Sequence, residues 1–292
     1  MILVTGATGQ YGTKAIEHLL KKGIEPQRIA ALVRDAAKGQ KLQDQGIELR
    51  VGDYTNVDAL VKAFQGVDTL LLVSSNDREA VENRTAHHVN VIKAAKAAQV
   101  KHLVYTSFVT KPGFQDSAIA DFLTSHAETE QFLKDSGLTY TILQNGIYLE
   151  MIPIFAGAQV AETGVILFPA QAGKASWVLR EELAEAAAHV LTTEGHENQT
   201  YVLANTEATS FQDIAQDLSR SLGKEVRYQS PPVEEFQATM QQAGVPEVYI
   251  GMFTTWASAV AQGMMDVQDS TLAAFLGREP TTTAQFITQV YA

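Results

Sequence analysis

Residues 2–12 read Ile2-Leu3-Val4-Thr5-Gly6-Ala7-Thr8-Gly9-Gln10-Tyr11-Gly12. Apolar strand formers are followed by three glycines, with two residues between each pair, and then by an amphipathic helical pattern. Glycines at such spacing permit a tight turn, bring the backbone close to a pyrophosphate and direct helix N-terminal N–H groups at it. The stretch predicts dinucleotide binding, and the alternative is an ordinary glycine-rich turn. The predicted contacts in this loop are Gly6, Thr8, Gly9, Gln10, Tyr11 and Gly12.

Short apolar runs and helical segments continue to alternate up to about residue 145. The predicted strands are apolar at nearly every position, which indicates burial on both faces. Repetition of strand and helix predicts the α/β class, as a Rossmann-type doubly wound parallel sheet. After residues 2–4, the predicted strands are 29–33, 47–51, 69–73, 102–106 and 139–143. The predicted helices are 10–22, 36–45, 57–64, 82–98 and 119–136.

The alternation weakens after Gly146, where helical segments and a few short strands follow. The chain contains no linker rich in proline, glycine or serine, so we expect two domains in close association. We predict an NADP(H)-binding domain over residues 1–145 and a smaller substrate lobe over 146–292, with some lobe segments returning to the first domain. The helices predicted here are 181–192, 211–221, 233–242, 246–262 and 281–291. The strands predicted here are 165–168, 201–203 and 226–228.

Composition excludes several classes of function. The 292 residues include 22 Lys and Arg against 33 Asp and Glu, for a net charge of −11, and no cysteine. An acidic chain disfavours nucleic acids and anionic membrane surfaces. Without cysteine there is no disulfide, thiolate metal site or cysteine nucleophile. The apolar run from Leu70 to Val73 is far below the ~18 residues of a membrane span, and the N-terminus lacks a secretion signal. We therefore expect a soluble cytoplasmic protein with no metal.

Arg34 ends the second predicted strand, 22 positions after Gly12. An acidic residue at about this distance binds the ribose 2′-hydroxyl of NAD, whereas an arginine accommodates the 2′-phosphate of NADP. Arg34 therefore predicts NADP(H). The neighbouring Asp35 leaves a preference for NAD open, and a surface charge without any ligand is the alternative for Arg34.

Further polar residues follow the third and fourth predicted strands, at the sheet edge where ligands bind in such folds. Asp53 and Tyr54 are expected near the adenine. Ser74, Ser75 and Asn76 are expected to hold the ribose or the pyrophosphate. A helix cap or a turn is the alternative for each of these residues.

Four segments, residues 4–12, 90–95, 103–107 and 145–148, together resemble the NmrA-like branch of the atypical short-chain dehydrogenases/reductases. Within that branch the chain is most similar to the bacterial type-2 NADPH:quinone oxidoreductases, over nearly its whole length. The resemblance implies a Rossmann fold, NADP(H) as cofactor, a quinone as acceptor, and Ser107 and Asn145 as cofactor contacts.

The chain departs from the superfamily at its usual catalytic pair. Most members carry Tyr-x-x-x-Lys, in which the tyrosine donates a proton and the lysine lowers its pKa. No tyrosine in this sequence precedes a lysine at that spacing, and Phe122 and His126 stand at the expected place early in the helix after the fifth strand. Since a phenyl ring gives no proton, we expect neither a usual alcohol dehydrogenase nor a sugar epimerase. A quinone fits, because its reduced form is protonated without a strong acid.

Three residues are the catalytic candidates. His126 is predicted to hold the nicotinamide ribose or carboxamide, or to relay a proton, with a local helix histidine as the alternative. Asn145 is predicted to orient the carboxamide or a quinone oxygen. Tyr148 is predicted to lay its ring against a flat acceptor, whereas Phe155 and Phe168 are expected in the core.

The predicted function is the two-electron reduction of quinones by NADPH through direct hydride transfer. One alternative is an NADP(H)-binding redox sensor without turnover, and another is a reductase for a different conjugated acceptor. A homo-oligomer is compatible with the sequence.

Overall fold

A computed structural model describes residues 1–75 and 83–291. Asn76, one of the predicted cofactor contacts, lies outside the described residues. The strands are β1 (Ile2–Val4), β2 (Ile29–Val33), β3 (Glu48–Val51), β4 (Thr69–Leu72), β5 (His102–Phe108), β6 (Thr139–Asn145), β7 (Val165–Leu167), β8 (Lys174–Ala175), β9 (Gln199–Leu203), β10 (Thr209–Ser210) and β11 (Arg227–Gln229).

Helices alternate with strands through the first half of the chain and predominate in the second. They are α1 (Gln10–Lys21), α2 (Gln40–Asp44), α3 (Val57–Ala63), α4 (Arg84–Ala97), α5 (Ala120–Asp135), α6 (Ile152–Ala156), α7 (Val160–Thr163), α8 (Arg180–Thr192), α9 (Phe211–Leu222), α10 (Val233–Gln242), α11 (Glu247–Ala261), α12 (Thr271–Leu276) and α13 (Thr283–Tyr291). The predicted helix over 36–45 is a 3-10 turn, Ala36–Gly39, followed by α2.

The described chain divides into two compact units. Unit 1 consists of Met1–Phe108, Thr124–Asn145 and Arg180–Val202. Unit 2 consists of Val109–Leu123, Gly146–Leu179 and Leu203–Ala292. Residues 109–123 therefore group with the later part of the chain, and residues 180–202 with the earlier part. The role of residues 146–292 as a substrate lobe stays a prediction.

Within the described residues of unit 1, one sheet has the strand order β3-β2-β1-β4-β5-β6-β9. The pairs from β3 to β6 are all parallel. This order reverses direction between β1 and β4, as in doubly wound dinucleotide-binding sheets, and the predicted fold class is confirmed. All five residues of β2 are buried, as the apolar run predicts. Leu3, Leu70, Leu103 and Ile142 carry the same core across neighbouring strands.

Unit 2 is built around aromatic side chains and two small ladders. Strands β7 and β11 pair in parallel, and β8 and β10 pair antiparallel. Phe155 and Phe168 stack at 5.0 Å between ring centroids, and both are buried, as expected for core residues. Trp177 and Phe211 extend this cluster, with their ring centroids 5.9 Å apart. Helix α9 starts at a capping box in which Ser210 and Asp213 satisfy each other's backbone N–H groups.

None of the helices in the described ranges, 1–75 and 83–291, is long and apolar enough to cross a membrane.

Candidate active site

The glycine turn between β1 and α1 has a geometry that only glycine fits. Gly6 has φ +57°, in the left-handed region, and its carbonyl oxygen accepts a hydrogen bond of 2.9 Å from the Gly9 N–H. A Cβ atom on Gly12 would lie 2.3 Å from the Gly6 oxygen. Helix α1 therefore begins directly against the turn, which is the close approach predicted from the glycine spacing.

The outer side of this turn is open. Gly6, Thr8, Gly9 and Gln10 are exposed, and the first turn of α1 contains no acidic residue. An exposed helix N-terminus with its N–H groups and no competing carboxylate suits a diphosphate. The side chain of Tyr11 differs, because it is buried and its hydroxyl donates to the Leu183 carbonyl oxygen at 3.0 Å. The predicted contact by Tyr11 is therefore limited to its backbone.

The ends of β2 and β3 bring Arg34 and Asp53 within electrostatic range. Arg34 is exposed, and its charge helps to lower the pKa of Asp53. Partial burial acts in the opposite direction on that pKa, but two hydrogen bonds from Thr55 outweigh it together with Arg34. Asp35 caps the following 3-10 turn by accepting from the Ala37 N–H at 2.9 Å. The Asp35 carboxylate thus has a local structural role, and Arg34 is the ligand-binding candidate at the end of β2.

Tyr54 takes part in hydrogen bonds that connect the ends of β1 and β4. Its hydroxyl donates to the Thr5 Oγ1 at 2.5 Å, and that oxygen accepts from the Val73 N–H at 2.9 Å. Asn90 donates to the Tyr54 carbonyl oxygen at 2.9 Å. Burial raises the pKa of Tyr54 well above its usual range. The phenol is therefore a neutral structural group, and the predicted contact with the cofactor is left to the exposed part of this residue.

Ser74 and Ser75 follow β4, as predicted, and neighbouring side chains fix their backbone. The Ser74 N–H donates to Thr106 Oγ1 at 2.9 Å, and the Ser75 carbonyl oxygen accepts from Arg84 Nε at 3.0 Å. The Ser75 Oγ is buried, and no described group forms a hydrogen bond with it. Such an atom is costly unless a ligand or water satisfies it, so Ser75 fits a binding role.

His126 lies in the interior of unit 1. Its Nδ1 is 2.8 Å from the Tyr105 hydroxyl, and its Nε2 is 3.5 Å from Arg84 Nη1. Burial, followed by the charges of Arg84 and His88, lowers the pKa of His126 well below its usual value. Both ring nitrogens already face protein groups, which favours a neutral packing histidine. The catalytic role of His126 stays a prediction.

Ser107 lies one residue before the end of β5, at the carboxyl edge of the sheet. It is buried, and its hydroxyl donates to Glu130 Oε1 at 2.6 Å. Gln144 donates to both oxygens of the same carboxylate, at 3.0 and 3.2 Å. Sequence reasoning missed Glu130. The only signal was an acidic residue one helical turn after His126, on a face that the apolar pattern assigns to the core.

Asn145 ends β6 at the same edge. Only 1% of the residue is exposed, and its Oδ1 has no hydrogen-bond partner among the residues that the structure describes. A buried carbonyl oxygen without a donor is rare in proteins and points to a ligand N–H or O–H group or to an ordered water. This geometry supports the predicted binding role of Asn145.

Tyr148 belongs to unit 2, and it is half-buried. It forms an isolated parallel bridge with Val178, and the flanking Ile147 and Leu149 bond to the Val178 backbone. The same unit contains Phe122 and Trp256, both half-buried, with ring centroids 5.4 Å apart in an edge-to-face arrangement. Trp256 is a second residue that sequence reasoning missed. Its aromatic surface suits a flat ligand.

The described part of the chain contains no group of three or more histidine or carboxylate side chains that could hold a metal ion.

A family model described as the NmrA-like family matches residues 1–287. The chain belongs to the NmrA-like family. This match covers far more than half of the sequence, and it confirms the resemblance seen in the four sequence segments.

Two relatives of known name are similar to this chain over nearly their full length. Quinone oxidoreductase 2 of Escherichia coli (strain K12) is 38% identical over 291 residues, which cover 100% of this chain and 99% of the relative. The NAD(P)H azoreductase of Xenophilus azovorans is 33% identical over 287 residues, with 98% and 96% coverage.

Solved structures of the family show the same fold. The E. coli NADPH-dependent quinone oxidoreductase in complex with NADPH has a TM-score of 0.91 at 37% identity, with 100% of both chains covered. The Citrobacter sp. triphenylmethane reductase in complex with NADP(H) has a TM-score of 0.90 at 37% identity, with 99% of both chains covered.

Proposed function

We propose that this protein is an NADPH-dependent reductase that transfers a hydride to quinones. The observation that carries the proposal is the glycine turn of residues 6–12, whose close contact with α1 leaves an exposed helix N-terminus for a diphosphate. Relatives named quinone oxidoreductase and azoreductase, at 38% and 33% identity, support the same reaction class.

The residues of unit 1 fit NADPH. The glycine turn can take the diphosphate, and Arg34, which is exposed at the end of β2, can take the 2′-phosphate. The unpartnered Oδ1 of Asn145 can accept from the amide of the nicotinamide. When bound, NADPH supplies the hydride, and the side chains supply orientation and exclude water.

The class of hydride acceptor is inferred from the absence of the proton-donating tyrosine. Phe122 stands where the superfamily usually has a proton-donating tyrosine, and a phenyl ring donates none. Quinone carbonyls are electron-poor, and the aromatic product is protonated by water. The half-buried rings of Phe122 and Trp256 in unit 2 support a flat aromatic acceptor. The names of the azoreductase and the triphenylmethane reductase indicate that relatives also reduce extended conjugated molecules.

The test is NADPH oxidation, followed by the loss of its absorbance, with and without benzoquinone or menadione. We expect oxidation that depends on the quinone and on the folded enzyme, and that is slower with NADH at the same concentration. Binding of NADPH is measured in parallel by its fluorescence. A protein that binds NADPH but oxidises none with any quinone would contradict the proposed reaction and would favour a redox sensor.

We place the protein in the cytoplasm as part of the same proposal, because a supply of NADPH is available there. Fractionation of cells that produce the protein at its natural level tests this location. Formation of a homo-oligomer stays a prediction, which sedimentation of the purified protein tests.

A further inference from the structure

A buried carboxylate lies directly behind Ser107. Ser107 and Glu130 are 3% and 5% exposed, and their side-chain oxygens are 2.6 Å apart. Gln144 Nε2 donates to both Glu130 oxygens, and Lys134 Nζ is 3.6 Å from Oε2. Glu130 is thus surrounded by the hydrogen-bond donors of Ser107 and Gln144 and by the cation of Lys134.

The register of the sheet creates this arrangement. Ser107 and Gln144 are paired residues on the parallel neighbours β5 and β6, so their side chains leave the same face of the sheet. Glu130, on α5, contacts both of them. All three residues belong to unit 1, as do the glycine turn and Arg34. Ser107 is next to the last residue of β5, at the carboxyl edge where ligands bind in such sheets.

The direction of the hydrogen bond between Ser107 and Glu130 follows from the protons and lone pairs that the two groups have. A carboxylate only accepts hydrogen bonds, and a serine hydroxyl has one proton and two lone pairs. Since the Ser107 proton is donated to Glu130, the oxygen of Ser107 can offer a ligand only its lone pairs.

We propose that Glu130 is a positioning residue that turns Ser107 into an obligate hydrogen-bond acceptor for an N–H or O–H group of the nicotinamide half of the cofactor. Of these groups, the inference concerns the carboxamide NH₂ and the 2′-hydroxyl, which is the ribose hydroxyl adjacent to the nicotinamide. This inference rests on the proposed use of NADPH. It also means that Ser107 does not protonate the reduced acceptor, although a serine at this edge would be a natural candidate for that step.

The experiment compares binding of NADPH with binding of two analogues, measured by nucleotide fluorescence. In one analogue the carboxamide NH₂ is replaced by methyl, as in reduced 3-acetylpyridine adenine dinucleotide phosphate. The other lacks the 2′-hydroxyl of the nicotinamide ribose. We expect the wild-type protein to bind one of the two about tenfold more weakly than NADPH, as the loss of one hydrogen bond implies. The weaker analogue identifies the donor.

The variants Ser107→Ala and Glu130→Leu are expected to weaken that discrimination, and Ser107→Thr is expected to keep it. Gln131→Ala, exposed on the same helix, is the matched control and should discriminate like the wild type. Ser107→Ala should raise the KM for NADPH about tenfold, because the lost contact contributes to cofactor binding.

Three results would overturn the inference. One is a Ser107→Ala protein that still discriminates like the wild type, and this variant remains informative if Glu130→Leu does not fold. The second is an unchanged KM for NADPH in Ser107→Ala together with a hundredfold lower kcat, which would make Ser107 a proton donor. The third is equal affinity of the wild-type protein for NADPH and both analogues. Failure of the wild-type protein to bind NADPH at all would instead refute the proposed function.

Discussion

Replacement of Gly12 by alanine tests the basis of the cofactor site. The new Cβ would lie 2.3 Å from the Gly6 carbonyl oxygen, 2.7 Å from the Gly6 carbonyl carbon and 2.9 Å from the Ala7 Cα. All three neighbours are backbone atoms, so no side-chain rotation relieves the contact. Either α1 moves away from the turn, or the turn itself is displaced.

The size of the effect follows from these distances. Ordinary contact begins near 3.4 Å, so the helix and the turn must separate by about 1 Å. Overpacking of this kind costs about 1–3 kcal/mol of stability. The same shift misplaces the N–H groups that face the diphosphate. Each hydrogen bond to a charged group contributes about 1.5–3 kcal/mol, so the loss of one weakens NADPH binding about 10- to 100-fold.

NADPH fluorescence titration and urea unfolding measure the two effects separately. Gly23→Ala is the matched control, since Gly23 follows the other end of α1, has φ +84° and has no atom within 4 Å of an added Cβ. This control should lose about 1–2 kcal/mol of stability through backbone strain alone and keep its NADPH affinity. Wild-type affinity in Gly12→Ala would refute the assignment of the turn to the diphosphate.

Three further predictions concern other parts of the molecule. Arg34→Ala should weaken NADPH binding about tenfold or more and NADH binding little; titrations in which both nucleotides weaken equally would remove the 2′-phosphate assignment. Trp256→Ala should raise the menadione KM severalfold at unchanged NADPH affinity, whereas unchanged acceptor kinetics would leave Trp256 a packing partner of Phe122. The pKa of His88 is lowered to about 3, chiefly by burial, so the unfolded chain binds the proton more readily. The contribution of His88 to stability should therefore be constant above about pH 6.5 and fall by up to about 1.4 kcal/mol per pH unit below it. Urea unfolding at several pH values should accordingly show a less steep loss of stability in His88→Asn than in the wild type.

The parts of the fold that the sequence predicts well are those in which one physical signal dominates. Strand β2 has the predicted bounds because burial on both faces makes all of residues 29–33 apolar. The turn before α1 is predictable because a side chain at Gly9 or Gly12 would contact backbone atoms of the same short segment. By contrast, β8 and β10 have two residues each, too few for any periodicity, and they exist because the chain brings residues 174–175 and 209–210 together.

Tertiary contacts determine which groups the side chains of the predicted site residues reach. Tyr11 and Tyr54 lie at predicted positions, but their hydroxyls bond to Leu183 and Thr5, partners that are 172 and 49 residues away in sequence. Glu130 is functionally informative only once Ser107 and Gln144 are known to be in register. Local patterns place a residue at a strand end, whereas the partner of its side chain depends on tertiary contacts that no local pattern contains.

The similarity to quinone reductases agrees with the small number of proton donors among the side chains of the candidate site. Phe122 has no acidic proton, and the Ser107 hydroxyl donates its proton in a hydrogen bond to Glu130. Burial raises the pKa of Tyr105 well above its usual range, and the pKa of His126 is shifted so far down that the ring carries no charge near neutral pH. A simple ketone would leave an alkoxide that needs an acid of matched pKa beside it. An acceptor whose reduced form spreads its charge over an aromatic ring has no such need. The absence of the Tyr-x-x-x-Lys pair therefore favours conjugated acceptors, whose reduction depends mainly on orientation.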